Sequence, residues 1–287
     1  MSLRRPPLSF RKATVVGIGL LGGSLALALK RNHLAGEVVG VSRRQAALHF
    51  ALKNKIIDHG TSDVMKAVEN ADLVILATPI QTILSLLSTL GSRLKRGCIV
   101  TDVGSTKAGI VSAAQKHLPS HVFFVGSHPL AGSEKKGVEF SDGNLFEQSF
   151  CLLTPTEKTN KDALAKVSEV WTRIGCVIKS VSADEHDAIL AFTSHVPHLL
   201  AYGLMDAIPK EHLPFGATGL KDTTRIASSS PQLWSDICLQ NSKNILKGLD
   251  ETIRVLAAYR KAIVVGDEGS LTEAFTRAKE KRDSFDQ

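Results

Sequence analysis

The sequence predicts an α/β protein in which a doubly wound sheet domain is followed by an all-helical domain. Apolar runs typical of buried strands alternate with helical segments over residues 12–182, as in a parallel sheet with helices on both faces. The pattern G-x-G-x-x-G stands where the first strand ends. Beyond residue 182 no convincing strand is indicated and helical segments continue. We therefore expect a short tail over 1–11, a sheet domain over 12–182 and a helical domain over 183–287.

The first strand, turn and helix predict a dinucleotide-binding site. Gly17 allows a tight turn, Gly19 lets the backbone approach a pyrophosphate, and Gly22 lets the helix pack close to the strand. The helix begins at about Leu20, so Leu20 and Leu21 lie where free N–H groups and the positive end of the helix dipole face the phosphates. A strand before the glycines and a helix after them favour this Rossmann-type interpretation over a glycine-rich turn of another α/β protein.

The end of the second strand indicates which nicotinamide dinucleotide binds. A site for NAD usually has an Asp or Glu about 20 residues past the glycines, which bonds the ribose 2′-hydroxyl. This chain has Ser42, Arg43 and Arg44 there and no carboxylate. Because guanidinium groups are planar, charged donors that suit phosphate oxygens, the sequence predicts NADP, with NAD as the second choice. The alternative is that both arginines are solvated surface charges.

Composition restricts the class of protein. Of 287 residues, 43% are hydrophobic and 22% are charged, which is ordinary for a globular protein. The net charge of +7 is dispersed and no nucleic-acid motif accompanies it, so no nucleic-acid partner is expected. The four cysteines have no C-x-x-C spacing and are expected to be apolar core residues in a reducing compartment. No apolar run reaches the roughly 18 residues of a membrane span, so we expect a cytoplasmic protein without membrane attachment.

The remaining elements are predicted in the alternating order of a doubly wound domain. Further strands are predicted at 71–79, 98–103, 122–126, 149–155 and 176–181, with a short strand or turn at 56–58. Helices of this domain are predicted at 44–55, 63–70, 81–94 and 161–174, with another starting at Lys107. The helical domain is predicted to contain helices at 183–208, with a break near Pro197, and at 231–264 and 268–284.

Polar residues follow three strands at the edge where ligands of doubly wound sheets bind. Thr78 and Pro79 end one strand, and we expect them beside the nicotinamide half of the cofactor. Ser105 follows the next strand, where it could equally be the N-cap of a helix. His128 comes directly after a strand, in a predicted loop. This placement makes it a candidate site residue, the alternative being an exposed or structural loop histidine.

The helical domain carries a second polar cluster. His195 and His198 are three residues apart, so they share a helix face, and Pro197 between them is expected to distort the helix. Two histidines could bind a metal, but no third ligand has a matching spacing, so no metal is expected. Arg225 lies in a glycine-containing stretch whose alternative interpretation is a capped helix start with Asp222 paired to Arg225.

Five motifs occur together in one order and spacing. They are GIGLLGGS (17–24), DVGSTK (102–107), GSHPLAGSE (126–134), TSHVPH (193–198), and GLKDTTRIA (219–227) with the following PQLW (231–234). With these motifs the chain resembles the prephenate/arogenate dehydrogenases of tyrosine biosynthesis (the TyrA family), from about residue 13 to 285.

The resemblance implies an oxidative decarboxylation of prephenate or arogenate. Hydride leaves ring carbon C4 for NADP or NAD, the ring carboxylate departs as CO2, and the product is 4-hydroxyphenylpyruvate or tyrosine. The resemblance also implies a Rossmann domain and a helical dimerisation domain, and hence a homodimer. Trp234 is expected to reach the substrate pocket from the partner subunit.

The resemblance assigns a role to each polar residue at the two clusters. His128 is expected to accept the proton of the substrate's 4-hydroxyl, a task that suits a neutral histidine. Ser105 is expected to bond and orient the same hydroxyl. Arg225 is expected to anchor a substrate carboxylate, which favours a bidentate guanidinium over a lysine. His195 and His198 are expected on the substrate side of the site.

Two other functions remain open at the level of sequence. A β-hydroxyacid-type dehydrogenase shares the two-domain plan but uses a catalytic lysine on the first helix of its second domain, where this chain has His195 and His198. A non-catalytic NADPH-binding sensor would keep the fold and lose the chemistry, and intact His128, Ser105 and Arg225 argue against it.

Overall fold

A computed structural model describes residues 10–132 and 135–284. The described residues form a sheet whose strands are β1 Phe10–Val16, β2 Ala35–Val41, β3 His59–Thr61, β4 Leu73–Leu76, β5 Ile99–Asp102, β6 Phe123–Pro129, β7 Phe150–Thr154 and β8 Val177–Ser180. The helices that pack on and follow the sheet are α1 Leu20–Arg31, α2 Gln45–Lys53, α3 Val64–Val68, α4 Ile80–Thr89, α5 Ala108–His117, α6 Lys161–Arg173, α7 Ala183–Leu190, α8 Val196–Ala207, α9 Thr218–Thr224, α10 Pro231–Gln240, α11 Ser242–Val265 and α12 Glu268–Asp283.

The sheet has the strand order β3-β2-β1-β4-β5-β6-β7-β8. Its first six strands are parallel and have the order typical of a dinucleotide-binding domain. The order reverses between β1 and β4, so a crevice opens there at the carboxyl ends of the strands, beside the turn that contains Gly17. The predicted fold class, a doubly wound sheet followed by helices, is confirmed.

Strand β6 is longer than the sequence indicated, which corrects the predicted loop position of His128. The first half of β6 pairs in parallel with β5, ending at Thr101 opposite Val125. Its second half pairs antiparallel with β7, where His128 lies opposite Leu152. The strand therefore continues through Ser127 and His128, because a new partner strand supplies the backbone hydrogen bonds.

Other element boundaries differ from the prediction for local reasons. The third strand begins at His59, opposite Val39 of β2, instead of at residue 56. The helix predicted over 231–264 is interrupted at Asn241. The break near Pro197 is a π-helical turn over Ala191–His195, which precedes the proline. Pro197 itself lies in the first turn of α8, where its missing N–H is tolerated.

The main core lies between the sheet and the helices α1 and α6. Trp171 of α6 is 1% exposed and packs edge-on against Phe146, with ring centroids 5.5 Å apart. Strand β4 is buried along its whole length, which explains its unbroken apolar sequence.

The chain divides into two compact units between Asn241 and Ser242. The first contains the sheet together with α7 to α10, and the second contains α11 and α12, which contact each other through Tyr259 and Phe275 with ring centroids 5.4 Å apart. The predicted domain boundary near residue 182 stays a prediction.

The close packing of α1 on the first turn gives a stability test. A Cβ on Gly22 would collide with the Gly17 carbonyl oxygen, so Gly22→Ala should lower the free energy of unfolding by about 1–3 kcal/mol. Gly203 in α8 is the matched control, because a Cβ there meets nothing within 4 Å, and alanine favours a helix. Urea unfolding of both variants should separate them, and equal stabilities would contradict the packing role of Gly22.

Candidate active site

The glycine turn after β1 has the geometry of a dinucleotide cradle. Gly17 has a φ of +106°, and its N–H donates to the Val41 carbonyl at 2.9 Å. A side chain on Gly17 would strike Ala77, whereas a Cβ on Gly19 would meet nothing within 4 Å. The turn is therefore tight on its inner side and open at Gly19, where a pyrophosphate would approach.

A cleft of about 460 Å³ runs past this turn. Its walls come from the glycine turn, the ends of β4 and β5, the segments on either side of residues 133–134, and the start of α10. The predicted site residues that line it are Gly19, Leu20, Leu21, Gly22, Thr78, Pro79 and Ser105.

Thr78 shows that the cleft suits a polar ligand. Its Oγ1 is buried and has no hydrogen-bond partner among the described residues. An unpaired buried hydroxyl is costly, and a carboxamide or ribose hydroxyl in the cleft would satisfy it. Together with the open face at Gly19, this observation fits a nicotinamide dinucleotide.

The end of β2 presents two free guanidinium groups. The backbone N–H of Ser42 donates to the Thr61 carbonyl at 3.2 Å, and Ser42 Oγ accepts from the backbone N–H of Arg44 at 3.2 Å. Arg43 and Arg44 are exposed, and neither side chain forms a hydrogen bond or ion pair within 10–132 and 135–284. Two unpaired cations thus stand at the strand end where a ribose 2′-substituent would lie.

A buried ion pair fixes the turn that carries Ser105. The ammonium of Lys107 contacts the carboxylate of Asp102, and both side chains are fully buried. The same carboxylate accepts from the backbone N–H of Gly104 at 2.8 Å and from that of Ser127 at 3.3 Å. Three hydrogen-bond donors converge on one buried carboxylate, and moving any of them would leave a buried charge less well paired, so Ser105 is held in a fixed loop.

Ser105 is not the cap of the following helix, which corrects that alternative. Helix α5 begins at Ala108, and its first N–H groups are bound by a residue distant in sequence. The carboxylate of Asp187 accepts from the backbone N–H of Lys107 at 2.7 Å and from that of Ala108 at 2.9 Å. Since Asp187 caps helix α5, the Ser105 side chain is available to a ligand in the cleft.

His128 stands at the end of a line of hydrogen-bonded side chains. Its Nδ1 is 2.9 Å from Nε2 of His186, and Nδ1 of His186 is 2.8 Å from Oδ1 of Asp187. His186 and Asp187 are buried, and they lie on α7. His128 is therefore attached to the sheet by its backbone and to α7 by its ring.

Burial shifts the pKa values of these groups. Burial holds the pKa of His128 well below its usual value, and repulsion from His186 and His195, when these are protonated, and from Lys107 lowers it further. Burial also lowers the pKa of His186, although the hydrogen bond to Asp187 opposes the shift. The pKa of Asp187 is lowered despite burial, because His186 and two backbone N–H groups bond its charged form. At neutral pH the two histidines are thus neutral and the carboxylate is ionised.

His195 and His198 pack around Trp234 of the same chain, and Trp234 also lines this chain's cleft. That it reaches the pocket of a partner subunit stays a prediction. The rings of His198 and Trp234 are stacked with centroids 3.6 Å apart, and His195 meets Trp234 edge-on at 6.0 Å. His195 is buried, its Nδ1 lies 3.2 Å from Nδ2 of Asn241, and its Nε2 is buried without a hydrogen-bond partner in the described part of the chain.

No group of three or more potential metal ligands occurs within 10–132 and 135–284. His195 is turned toward Asn241, whereas His198 Nδ1 bonds the Ser194 carbonyl at 2.8 Å.

Arg225 follows α9 directly and begins a 3₁₀-helical turn over Arg225–Ser228. The guanidinium is exposed. The pKa of His198 is lowered by burial and, further, by the positive charge of Arg225. Arg225 therefore shares the electrostatic environment of His198, and a cation is also favourable at a helix C-terminus.

Several residues that shape the site were not found by sequence reasoning. They are Asp102, Lys107, His186, Asp187 and Asn241. Asp102 offered one indication, because a carboxylate at the end of an apolar strand is unusual unless it is paired. Residues 133 and 134 of the motif at 126–134 lie outside the described residues.

The comparisons with known proteins agree with this geometry. The family model for the nucleotide-binding domain of prephenate dehydrogenase matches residues 25–180, and that for its dimerization domain matches 182–277. The chain belongs to the prephenate dehydrogenase family. The predicted resemblance is thereby confirmed.

Relatives of known name are similar over nearly the whole chain. The prephenate dehydrogenase of Bacillus subtilis is 38% identical over 94% of this chain and 75% of its own length. The cyclohexadienyl dehydrogenase of Zymomonas mobilis is 34% identical over 95% of both. The crystal structure of prephenate dehydrogenase from Aquifex aeolicus, in complex with hydroxyphenyl propionate and NAD+, has a TM-score of 0.91 and 35% identity, covering 98% of this chain and all of that one. Members of this family are oxidoreductases of tyrosine biosynthesis that use a nicotinamide cofactor.

One helical run has an unusually apolar composition. The run Ala183–Ala207 is long and apolar enough to cross a membrane by length and composition alone. It also supplies His186, Asp187 and His195 to a buried polar network beside the sheet. Of its most apolar 18-residue window, 28% is buried within the described residues.

The buried ring of His195 predicts a pH dependence of stability. Burial lowers its pKa from 6.5 to about 4, against the opposing charge of Asp187. The unfolded chain thus binds this proton below about pH 6.5 and the folded chain only near pH 4, so stability is lost as the pH falls through this window. One such group is worth roughly 3 kcal/mol.

His195→Asn should flatten that part of the curve in urea unfolding between pH 7 and about 4. His49→Asn, on the exposed face of α2, is the control and should leave the slope unchanged. An unaltered slope in His195→Asn would show that the ring is not held neutral.

Proposed function

We propose that the chain catalyses the oxidative decarboxylation of prephenate, of arogenate, or of both, with hydride transfer to NADP in preference to NAD. The observation that carries the proposal is the position of His128, which His186 holds by its ring at the carboxyl edge of a nucleotide-binding sheet. When bound, the nicotinamide supplies the acceptor for the hydride that leaves ring carbon C4. The chain itself must bind the dianionic substrate, orient it and handle one proton.

His128 and Ser105 are proposed as the catalytic residues. As C4 becomes a carbonyl carbon, the O–H bond of the 4-hydroxyl breaks and the proton passes to a base. His128 suits this task because its lowered pKa keeps it neutral, and because its Nε2 has no hydrogen-bond partner in the described part of the chain. Ser105 lines the cleft and can bond the same hydroxyl.

Decarboxylation closes the proton balance. The C–C bond to the ring carboxylate breaks, its electron pair enters the ring, and the ring becomes aromatic with a negative charge on the former hydroxyl oxygen. His128 returns the proton to that oxygen, so no net proton is released by the ring chemistry. One residue thus acts first as the base and then as the acid.

Arg225, His198 and His195 are proposed on the substrate side. The substrate carries two carboxylates, and Arg225 offers an exposed guanidinium near His198. The stacked pair of His198 and Trp234 presents a flat surface against which a six-membered ring can pack. His195 lies deeper and supports that pair by its edge contact with Trp234.

The chain is proposed to act as a cytoplasmic homodimer through its C-terminal helices. Leu246, Ile253, Leu256 and Ile263 of α11 are 52–66% exposed, and their spacing of seven, three and seven residues places them on one helix face. An apolar stripe of this kind requires a cover. A match to a dimerization domain over 182–277 supports a second copy of the chain as that cover.

The alternative functions fit the site less well. A β-hydroxyacid-type dehydrogenase needs a lysine in the segment 183–207, which contains none. A non-catalytic sensor would have no use for a buried line of side chains that ends at His128.

The direct test is a four-way steady-state comparison of prephenate and arogenate with NADP and NAD, followed at the nicotinamide absorbance. Turnover in any of the four combinations supports the reaction, and the ratios of kcat/KM assign substrate and cofactor. Absence of turnover in all four, with cofactor binding intact, would contradict the proposal.

His128→Asn should lower kcat by about 100-fold or more, because the transition state loses its base. Cofactor affinity, measured by fluorescence titration, should stay the same, since His128 does not belong to the glycine turn. His121→Asn, just before the start of β6, is the matched control. Retained turnover in His128→Asn would remove His128 from the mechanism.

Arg43→Ala combined with Arg44→Ala should weaken NADP binding by about 10- to 100-fold and leave NAD binding unchanged, because only NADP has a 2′-phosphate. Lys53→Ala with Lys55→Ala removes the same charge at the other end of α2 and controls for net charge. Dissociation constants of NADP and NAD are measured by calorimetry. An equal loss of affinity for both cofactors would contradict a role of Arg43 and Arg44 in the preference for NADP.

A further inference from the structure

The line His128, His186, Asp187 contains two residues, His186 and Asp187, to which the function proposed above assigns no part in the proton chemistry. The contacts are His128 Nδ1 to His186 Nε2 at 2.9 Å and His186 Nδ1 to Asp187 Oδ1 at 2.8 Å. The two rings are tilted by 53° with centroids 5.1 Å apart, so the contact is made through the nitrogen atoms and not by stacking.

We propose that His186 and Asp187 are positioning residues that hold His128 in the tautomer with its proton on Nδ1. This inference rests on the proposed role of His128 as the base. It assigns the direction of every hydrogen bond in the line and leaves the lone pair of His128 on Nε2.

The direction of the hydrogen bonds in the line is determined by Asp187. Its carboxylate also accepts from the backbone N–H groups of Lys107 and Ala108, at 2.7 and 2.9 Å, at the start of α5. Two backbone donors and a helix N-terminus favour the ionised form. An ionised carboxylate can only accept hydrogen bonds, so Nδ1 of His186 must donate to it.

The neutral state of His186 determines the direction of its hydrogen bond with His128. A neutral imidazole has one N–H and one acceptor nitrogen, so a proton on Nδ1 leaves Nε2 of His186 as an acceptor. The ring is fully buried, and burial lowers its pKa. Since Nε2 of His186 accepts, Nδ1 of His128 must donate, and the proton-free nitrogen of His128 is Nε2.

The charged groups around the line preserve this arrangement. Lys107 faces it, and its ammonium is paired with Asp102. His195 faces it from the turn before α8, and burial lowers the pKa of that ring to about 4. Because Lys107 is paired with Asp102 and His195 is uncharged, the only net charge on the line at neutral pH is that of Asp187.

The arrangement would serve both proton steps of the proposed reaction. When the 4-hydroxyl loses its proton to Nε2 of His128, the ring becomes cationic while its Nδ1–H stays bonded to His186. The negative charge of Asp187 stabilises that cation through His186. When the proton returns to the ring oxygen of the product, the line regains its initial state without any change of tautomer.

The first test uses the wild-type enzyme and no substrate. In ¹⁵N-histidine-labelled protein at neutral pH, the nitrogen shifts of His128, assigned by the loss of its signals in His128→Asn, should show a protonated Nδ1 and an unprotonated Nε2. A proton on Nε2 would overturn the proposal. Because this measurement does not involve turnover, it is independent of whether prephenate or arogenate is a substrate.

The second test compares two substitutions at His186. His186→Phe keeps an aromatic ring and removes the acceptor, so kcat should fall by about 10- to 100-fold with KM and cofactor affinity unchanged. His186→Gln offers an amide oxygen to Nδ1 of His128 and should recover most of the lost kcat together with the protonated Nδ1 signal. His117→Phe, at the exposed end of α5, is the control.

The pair of variants separates positioning from a structural role. A structural role predicts equal losses in both variants, with KM raised and the tautomer of His128 unchanged, and this result would overturn the proposal. If His186→Phe does not fold, the comparison of His186→Gln with wild type, together with the wild-type nitrogen shifts, still decides between the two roles.

Discussion

The carboxylate of Asp187 is the interaction on which the site depends. It receives the first N–H groups of α5 and the Nδ1–H of His186, and its own backbone carbonyl accepts from Asn241 Nδ2 at 2.7 Å. One residue thus connects α7, the start of α5 and the end of α10. Hydrogen bonds to a charged acceptor contribute roughly 1.5–3 kcal/mol each, so the bonds that meet at this carboxylate hold α7 firmly against the start of α5.

The buried pair of Lys107 and Asp102 completes the support from the side of the sheet. A buried ion pair is not in itself a source of stability, because desolvation offsets the attraction between the charges. Its value here is geometric, since Asp102 also binds the backbone N–H groups of Gly104 and Ser127. The loop with Ser105 and the strand with His128 therefore each donate a backbone N–H to the same carboxylate. This shared acceptor fixes the spacing between the loop and the strand.

Much of the fold follows from local sequence and some of the site does not. Unbroken apolar runs that alternate with helical segments, together with a glycine turn, predict the sheet domain, because each element is encoded by its own residues. The continuation of β6 through His128 depends on β7, more than 20 residues later. His186 and Asp187 look like the polar positions of any helix, and only the packing of α7 on the start of α5 gives them buried partners. The meeting of Trp234 with His198 is likewise a tertiary contact.

The π-helical turn at Ala191–His195 has a consequence for the spacing of residues along the chain. At about 100° per residue, nine residues of regular α-helix would put His195 on the side opposite His186. The wider turn, closed by the Val196 N–H to the Ala191 carbonyl, changes that phase, and both histidines face the same buried network. The number of residues between them is thus as much a part of the site as their identity. Loss of Phe192 from this turn would keep every residue of the site in the sequence and still rotate α8, with His198, by about a quarter of a turn or more.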